Sequence, residues 1–206
     1  DLPDTLSILP LRNMVLFPGV VIPITAGRDK SINLINDAYA AGKIIGVVAQ
    51  KNEEVEDPTK NDIHQIGTVA RILRVLKMPD GNVTVILQGK KRFKIESIVT
   101  EMPYFTANIK DVAEKRPTKK DTEFLAILDS VRELAIQIIK ENPNIPSEAT
   151  FAIKNIESQS FLINFVTSNM SLSVEEKQNL LSINSLKDRA LETLRYMNTE
   201  LQKLEL

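Results

Sequence analysis

The sequence predicts an α+β fold: a β-rich first half, an open barrel or curled sheet with one helix, followed by an all-α bundle that ends in a long helix. All seven glycines lie at or before Gly89, and eight of the ten prolines lie at or before Pro117. Glycine and proline mark the turns of β structure, whereas long stretches without them permit helices. We therefore predict two domains, residues 1–117 and residues 118–206.

Composition excludes several classes of protein. The 206 residues are 43% hydrophobic and 26% charged with a net charge of -1, which is typical of a globular protein without a strong field for nucleic acid. The absence of cysteine removes disulfides and thiolate chemistry, and it suits a cytoplasmic location. No apolar run reaches the roughly 18 residues of a membrane span, so no membrane partner is expected. The start at Asp1 lacks a signal-peptide pattern, and the missing initiator Met indicates a trimmed start from which a targeting segment could have been lost.

Periodicity in the first half predicts strands around a single helix. Pro23 closes an apolar run and indicates an edge strand, because proline cannot donate to a sheet ladder. A helix over 28–41 ends at Gly42, and a buried strand over 43–50 follows it. A hairpin turns at Pro79-Asp80-Gly81 between arms at 67–77 and 83–88, with further strands at 92–96 and 105–109.

The second half has helical periodicity and recognisable helix starts. Its first long helix follows from apolar residues at steps of three and four, namely Phe124, Leu128, Val131, Ala135 and Ile138. Ser147 is expected to cap a second helix, Ser173 with Glu176 forms a capping box, and the last helix begins at Ser185. The apolar stripe is expected to pack on the bundle up to about Leu194, and beyond it to serve as a truncated connecting helix or in self-association.

Polar clusters offer little support for catalysis or metal binding. His64, the only histidine, is expected to be an ordinary surface or turn residue, and the acidic run at 53–57 a solvated loop. The basic cluster Lys90, Lys91, Arg92 and Lys94 surrounds Phe93 and could contact RNA, but Phe93 alternates with Ile95 and is expected in the core. We therefore predict no catalytic residues, no metal and no nucleic-acid partner.

Two turns carry apolar residues and are the predicted binding site. Phe17 and Pro18 precede Gly19, and Met78 and Pro79 open the hairpin turn. Side chains in such turns tend to stay outside the core, and exposed apolar groups often mark protein-binding surfaces. A core position for Phe17 is the alternative.

The order of the motifs resembles the amino-terminal, substrate-recognition domain of bacterial Lon ATP-dependent proteases. The motif Leu9-Pro10-Leu11-Arg12-Asn13 opens the match. Further matching blocks follow in order at residues 15–23, 27–32, 67–72, 79–81, 88–93, 142–146 and 175–181. The resemblance implies a PUA-like β-rich domain before a helical bundle, and a parent protein with ATPase and Ser-Lys protease modules that these residues do not contain.

The resemblance also implies a function. We expect a non-catalytic domain that binds exposed hydrophobic segments of unfolded or damaged proteins and helps Lon subunits assemble as a homo-hexamer. No phosphate loop of the G-x-x-x-x-G-K-[ST] type is present, so ATP and magnesium would bind only the ATPase module. The alternative is a stand-alone Lon-domain or PUA-like module that serves as an adaptor or binds RNA.

Overall fold

The computed structural model describes residues 2–206 and shows two compact units. The first unit ends at Ala113, and the second spans Glu114–Leu206. The interpretation of the chain's start falls partly on Asp1, which lies outside the described residues.

The first unit is a mixed sheet with one α-helix. Its elements are β1 (Thr5–Leu11), β2 (Val21–Ala26), α1 (Asp29–Ala40), β3 (Ile44–Ala49), β4 (Ile66–Lys77), β5 (Val83–Thr100) and β6 (Phe105–Asp111), with a 3-10 turn at Lys60–Asp62 before β4. The strand order is β2-β5-β4-β3-β1-β6, and β5 also pairs with β6. Because β5 also pairs with β6, the five strands β5, β4, β3, β1 and β6 close into a barrel. β2 pairs with the outside of this series and lies at an edge.

Alternating side chains fill the interior of this barrel. Phe93, Ile8 and Ala107 are fully buried in its core cluster. Gly46 lies among them, where an added Cβ would stand 2.8 Å from the Phe93 ring and 2.9 Å from Ile8. A side chain at that position would therefore displace the core.

β5 is longer than the sequence predicted. Two separate strands, 83–88 and 92–96, were expected, and the structure has one strand of 18 residues that pairs in turn with β2, β4 and β6. Gly89 does not interrupt it, because the backbone of residue 17 packs against Gly89 where a side chain would stand. β1 was not predicted as a strand; it pairs in parallel with β3.

The second unit is a bundle of α-helices. These are α2 (Thr122–Glu141), α3 (Glu148–Asn155), α4 (Gln159–Asn169), α5 (Val174–Ser182) and α6 (Leu186–Glu205). The predicted side chains of α2 enter its core, together with Leu162, Ile163 and Ala190 from later helices. The predicted α+β class, with strands before helices, is confirmed. In residues 2–206 no helix is long and apolar enough to cross a bilayer.

The end of α6 differs from the prediction. Its residues past Leu194 were expected to leave the bundle, yet Met197 is 0% and Leu201 8% exposed within the helical core. The Glu200 side chain also accepts a hydrogen bond from the Ser171 backbone N–H at 2.9 Å. The apolar stripe keeps its helical spacing, so the same face stays buried along α6.

Residues at the unit boundary belong to the helical unit. Glu114 contacts the Arg189 guanidinium at 2.9 Å, and the Lys115 backbone exchanges hydrogen bonds with Asn184 and Leu186. The contact boundary therefore precedes the change of composition near Pro117, because charged residues that look like a linker are bound to the start of α6.

Candidate functional site

The structure places Phe17 inside the protein, so its predicted exposure is wrong. Its side chain is 0% exposed, and its carbonyl oxygen accepts the Val20 N–H at 3.2 Å. The adjacent Leu16 carbonyl accepts the buried hydroxyl of Thr68 at 2.6 Å. The turn at Gly19, where φ is 83°, thus folds the apolar residues inward. Pro18 is half-buried.

Met78 and Pro79 lie exposed at the tip of the β4–β5 hairpin. The Gly81 N–H donates to the Met78 carbonyl at 3.1 Å, and Gly81 has a φ of 90°. The Asn82 N–H donates to the Asp80 side chain at 3.0 Å, and this hydrogen bond stabilises the turn. The turn residues are polar or glycine apart from Met78 and Pro79, and the Met78 side chain is 42% exposed.

The hairpin continues into a three-stranded surface with an apolar exposed side. Val83, Val85 and Leu87 of β5 are buried, so their neighbours Thr84, Ile86 and Gln88 face the opposite way. On that side Pro23 of β2 and Arg74 of β4 flank Ile86. We call this surface the outer sheet face; its apolar members are Val21, Pro23, Leu73, Leu76 and Ile86, with Met78 and Pro79 at its end.

Most of the outer sheet face was missed from the sequence. Val21 is 50% and Leu73 46% exposed, and exposed apolar residues that lie together often mark binding surfaces. One residue could have indicated this face from the sequence. Ile86 is apolar, yet it alternates with the buried residues of β5 and therefore faces the opposite side of the sheet. Two exposed cations of β4, Arg71 and Arg74, lie on this side beside the apolar residues, opposite Gln88 and Ile86. The face can therefore contact apolar side chains and, at its border, negative charge.

The side chains of the basic cluster on β5 do not share one surface, because some are buried and others are exposed. Phe93 is buried, as expected, and Arg92 is only 4% exposed with its guanidinium donating to the Ala113 carbonyl at 3.2 Å. Lys91 pairs with Asp111 at 3.3 Å, and Lys90 donates to Gln88 at 3.0 Å. These contacts leave no continuous basic surface with an exposed aromatic ring on this strand.

The acidic run is an organised loop. Its backbone carbonyls at Glu53 and Glu56 accept hydrogen bonds from Arg12 and Arg28, and the Asp57 carboxylate lies 3.4 Å from Lys30. Across residues 2–206, no three His, Cys, Asp or Glu side chains are grouped to hold a metal. His64 is partly buried, and its backbone N–H donates to the Ala49 carbonyl at 3.0 Å.

The architecture, a small barrel followed by a helical bundle, defines a class of domain known from solved structures. The amino-terminal domain of a Mycobacterium avium complex Lon protease superposes with a TM-score of 0.76 at 19% identity, covering 94% of this chain and 98% of that one. The Lon amino-terminal domain of Xanthomonas campestris gives a TM-score of 0.63 at 16% identity over the same shares. At such identities the likeness shows the fold.

Sequence comparison shows the family. Residues 5–199 match the ATP-dependent protease La (LON) substrate-binding domain, and the chain belongs to that family. It is 81% identical over its full length to the Lon protease of Flavobacterium johnsoniae and 47% identical to that of Cytophaga hutchinsonii. The chain spans about a quarter, 25%, of the length of each. The resemblance stated from the motifs is thereby confirmed.

Proposed function

We propose that this chain is the substrate-recognition domain of a Lon-type protease and that its outer sheet face binds exposed hydrophobic segments of unfolded or damaged proteins. The observation that carries this proposal is the group of large apolar side chains exposed together on one side of β2, β4 and β5. Met78 and Pro79 keep their predicted role at the hairpin tip, and Pro18 lies near the residues that lead into β2. Phe17 acts from the core, by supporting the strands beneath the face.

Simple burial accounts for how such a face would act. Covering apolar surface contributes roughly 25 cal/mol per Å² removed from water, and a client covers only part of each side chain. The entropy of ordering a flexible client opposes this gain, so each encounter is weak and tolerant of sequence. Weak and tolerant binding suits a domain whose clients share exposed apolar residues and little else.

The parent protein of this proposal is a cytoplasmic, ATP-dependent serine protease. Its ATPase module would bind ATP and magnesium, its Ser-Lys module would cut the client, and its subunits would assemble as a homo-hexamer. The share of each relative that this chain covers supports further modules, and the absence of cysteine suits a reducing compartment.

A stand-alone adaptor or RNA-binding module is the alternative function. The basic cluster of β5 was its main support, and in the structure Arg92 is buried while Lys91 is paired with Asp111. RNA binding without sequence preference needs a charged groove and exposed aromatic platforms. The arrangement on β5 therefore favours protein clients over RNA.

A matched pair of variants tests the proposed surface. Val21→Ser, Leu73→Ser and Met78→Ser together should weaken binding of fluorescently labelled casein about tenfold or more, because three partly exposed apolar groups each lose burial against the client. Fluorescence anisotropy gives the dissociation constants. The free energy of unfolding should change by less than roughly 1 kcal/mol per site, as for other surface substitutions.

The control uses equally exposed side chains elsewhere in the same unit. Val99 is 51% and Met102 67% exposed, at the end of β5 and just beyond it. The double change Val99→Ser and Met102→Ser should leave casein binding within about twofold of the wild type. Equal losses in both variants, or no loss in the first, would remove the outer sheet face as the binding surface.

A further inference from the structure

A cavity separates the edge strand β2 from the far end of β1. Its volume is about 380 Å³, within the range of small-molecule sites in proteins. β6 pairs with β1 only over Thr5–Ile8, and β2 pairs only with β5. The residues of β1 after Ile8 therefore have no strand on that side, and the cavity occupies the gap.

The walls of this cavity are largely apolar. Pro10 and Met14 come from the β1 side, and Pro23 and Ile24 come from β2. Such a lining favours a ligand with an apolar body, because burying that body removes apolar surface from water on both sides.

Two arginines, Arg12 and Arg28, line the same cavity. The Arg12 Nε donates to the Glu53 carbonyl at 2.6 Å, and Arg28 donates to the Glu56 carbonyl and, at 3.5 Å, to the Gln50 side chain. Gln50 is 1% exposed. These bonds hold both cations in place before any ligand arrives and leave further N–H groups on each guanidinium.

Gln50 itself is held by the acidic loop. Its amide nitrogen donates to the Asn52 carbonyl at 3.2 Å and to the Val55 carbonyl at 2.9 Å. The loop thus presents backbone carbonyls to the arginines, and these oxygens orient the guanidinium groups without neutralising their charge.

The charges around the cavity favour an anion. None of its lining residues is Asp or Glu. Burial lowers the pKa of Arg28, Asp57 acts in the opposite direction, and the neighbouring charge of Arg12 lowers it further. Asp57, the nearby carboxylate, already lies 3.4 Å from Lys30. The lining residues thus carry two positive charges and no negative charge, and an anion placed between the two arginines would be attracted by both.

We propose that this cavity binds a small amphipathic carboxylate, with the carboxylate between Arg12 and Arg28 and the apolar body against Pro10, Met14, Pro23 and Ile24. The planar fork of a guanidinium matches a carboxylate in a bidentate arrangement. This site lies apart from the residues of the outer sheet face other than Pro23, and it does not rest on the proposed binding of unfolded clients.

Nuclear magnetic resonance titration of the 206-residue chain with octanoate tests the site. The amide signals of residues 11–14 and 24–27 should shift on addition of octanoate. Acetate, which has the head without the body, and octanol, which has the body without the head, should each bind at least about tenfold more weakly. If octanoate shifts none of these amides, or if octanol binds as tightly, the proposal is wrong.

Substitutions test whether Arg12 and Arg28 bind octanoate specifically, rather than any exposed cation of the chain. Arg12→Gln and Arg28→Gln should each weaken octanoate binding about tenfold, the usual effect of losing a hydrogen bond between charged groups. Arg195→Gln, which removes an exposed cation of the helical unit that does not line the cavity, should leave the affinity unchanged. Arg12 is exposed, so its variant keeps the test decisive even if Arg28→Gln fails to fold. Undiminished binding by Arg12→Gln would overturn the proposed site.

Discussion

The contact between Phe17 and Gly89 joins the segment before β2 to the middle of β5. A Cβ added at Gly89 would stand 2.4 Å from the Phe17 carbonyl oxygen. Reciprocal backbone bonds flank this point: Gly19 donates to Gly89, and Gly89 donates to Val20, both at 2.9 Å. The close approach leaves space for glycine alone and keeps the Phe17 ring buried.

Truncation of Phe17 should destabilise the protein far more than truncation of Met78. Phe17→Ala should lower the free energy of unfolding by about 3–5 kcal/mol, because it opens a cavity in a filled core. Met78→Ala, at an exposed turn, should change it by about 0.5 kcal/mol or less. Urea denaturation of the two variants measures both values. A small loss for Phe17→Ala would show that its ring does not support the sheet.

The starts of the helices show how far local sequence signals reach. Ser173 and Glu176 form the predicted capping box, with bonds of 3.1 and 3.0 Å, and Ser185 accepts from the Asp188 N–H at 3.1 Å. Ser147, also predicted as a cap, makes no side-chain cap bond and has helical dihedral angles. Cap motifs with a partner three residues later were thus read correctly, whereas a lone serine after proline was not.

Tertiary contacts set the features that the sequence did not predict. β1 pairs with β3, which lies beyond α1 in the chain, and α6 stays buried past Leu194 because Met197 and Leu201 meet other helices. At the proposed surface, the exposure of Met78 and Pro79 at the hairpin tip was predicted from the turn residues. Val21 and Leu73 were missed because their neighbours across the sheet are known only once the register of β2, β5 and β4 is known.

The cap at the start of α2 should make stability depend on acidity. Asp121 accepts from the Phe124 N–H at 2.9 Å and from Lys187 at 3.0 Å, and these bonds, the backbone one foremost, lower the pKa of Asp121. A lowered folded-state pKa means that the stabilisation is complete above the unfolded value, near pH 4, and is lost as pH falls through the folded value.

Replacing this carboxylate should flatten that dependence. Asp121→Asn keeps a capping oxygen but cannot titrate, so its melting temperature should fall less steeply than that of the wild type as the pH is lowered from about 4 to about 2. Asp129→Asn, an exposed change within the same helix, is the control and should follow the wild type. Parallel curves for Asp121→Asn and the wild type would show that the cap does not titrate in this range.

At the scale of the whole chain, a largely buried ion pair attaches the residues at the unit boundary to the helical unit. Arg189 is 2% and Glu114 22% exposed at their 2.9 Å contact. Burial lowers the pKa of Arg189, and the charge of Glu114 opposes that shift. The residues at 114–116 therefore complete the helical unit, although their composition resembles that of a linker.

Fragments that differ by this segment should differ in stability. A fragment of residues 118–206 lacks Glu114 and leaves the Arg189 guanidinium buried without its partner, so we expect it to be roughly 2–3 kcal/mol less stable than residues 114–206. This is less than the full cost of breaking a buried pair because Glu114 is partly exposed. Chemical denaturation compares the fragments, with Glu114→Gln in the longer one as the matched control. Equal stability of the two fragments would place the boundary of the folded helical domain at Pro117, as the composition predicted.

Pro23 has a consequence for how a bound client would leave. It stands in the middle of the edge strand β2, opposite Ile86, and has no N–H with which to extend the ladder. An unfolded chain that lies along this edge cannot pair through that position, so it cannot join the sheet as a continuous further strand. Its attachment to the outer sheet face then depends on side-chain contacts, which separate one at a time. In the proposed binding, Pro23 would both add apolar surface for a client and keep the attachment of that client reversible.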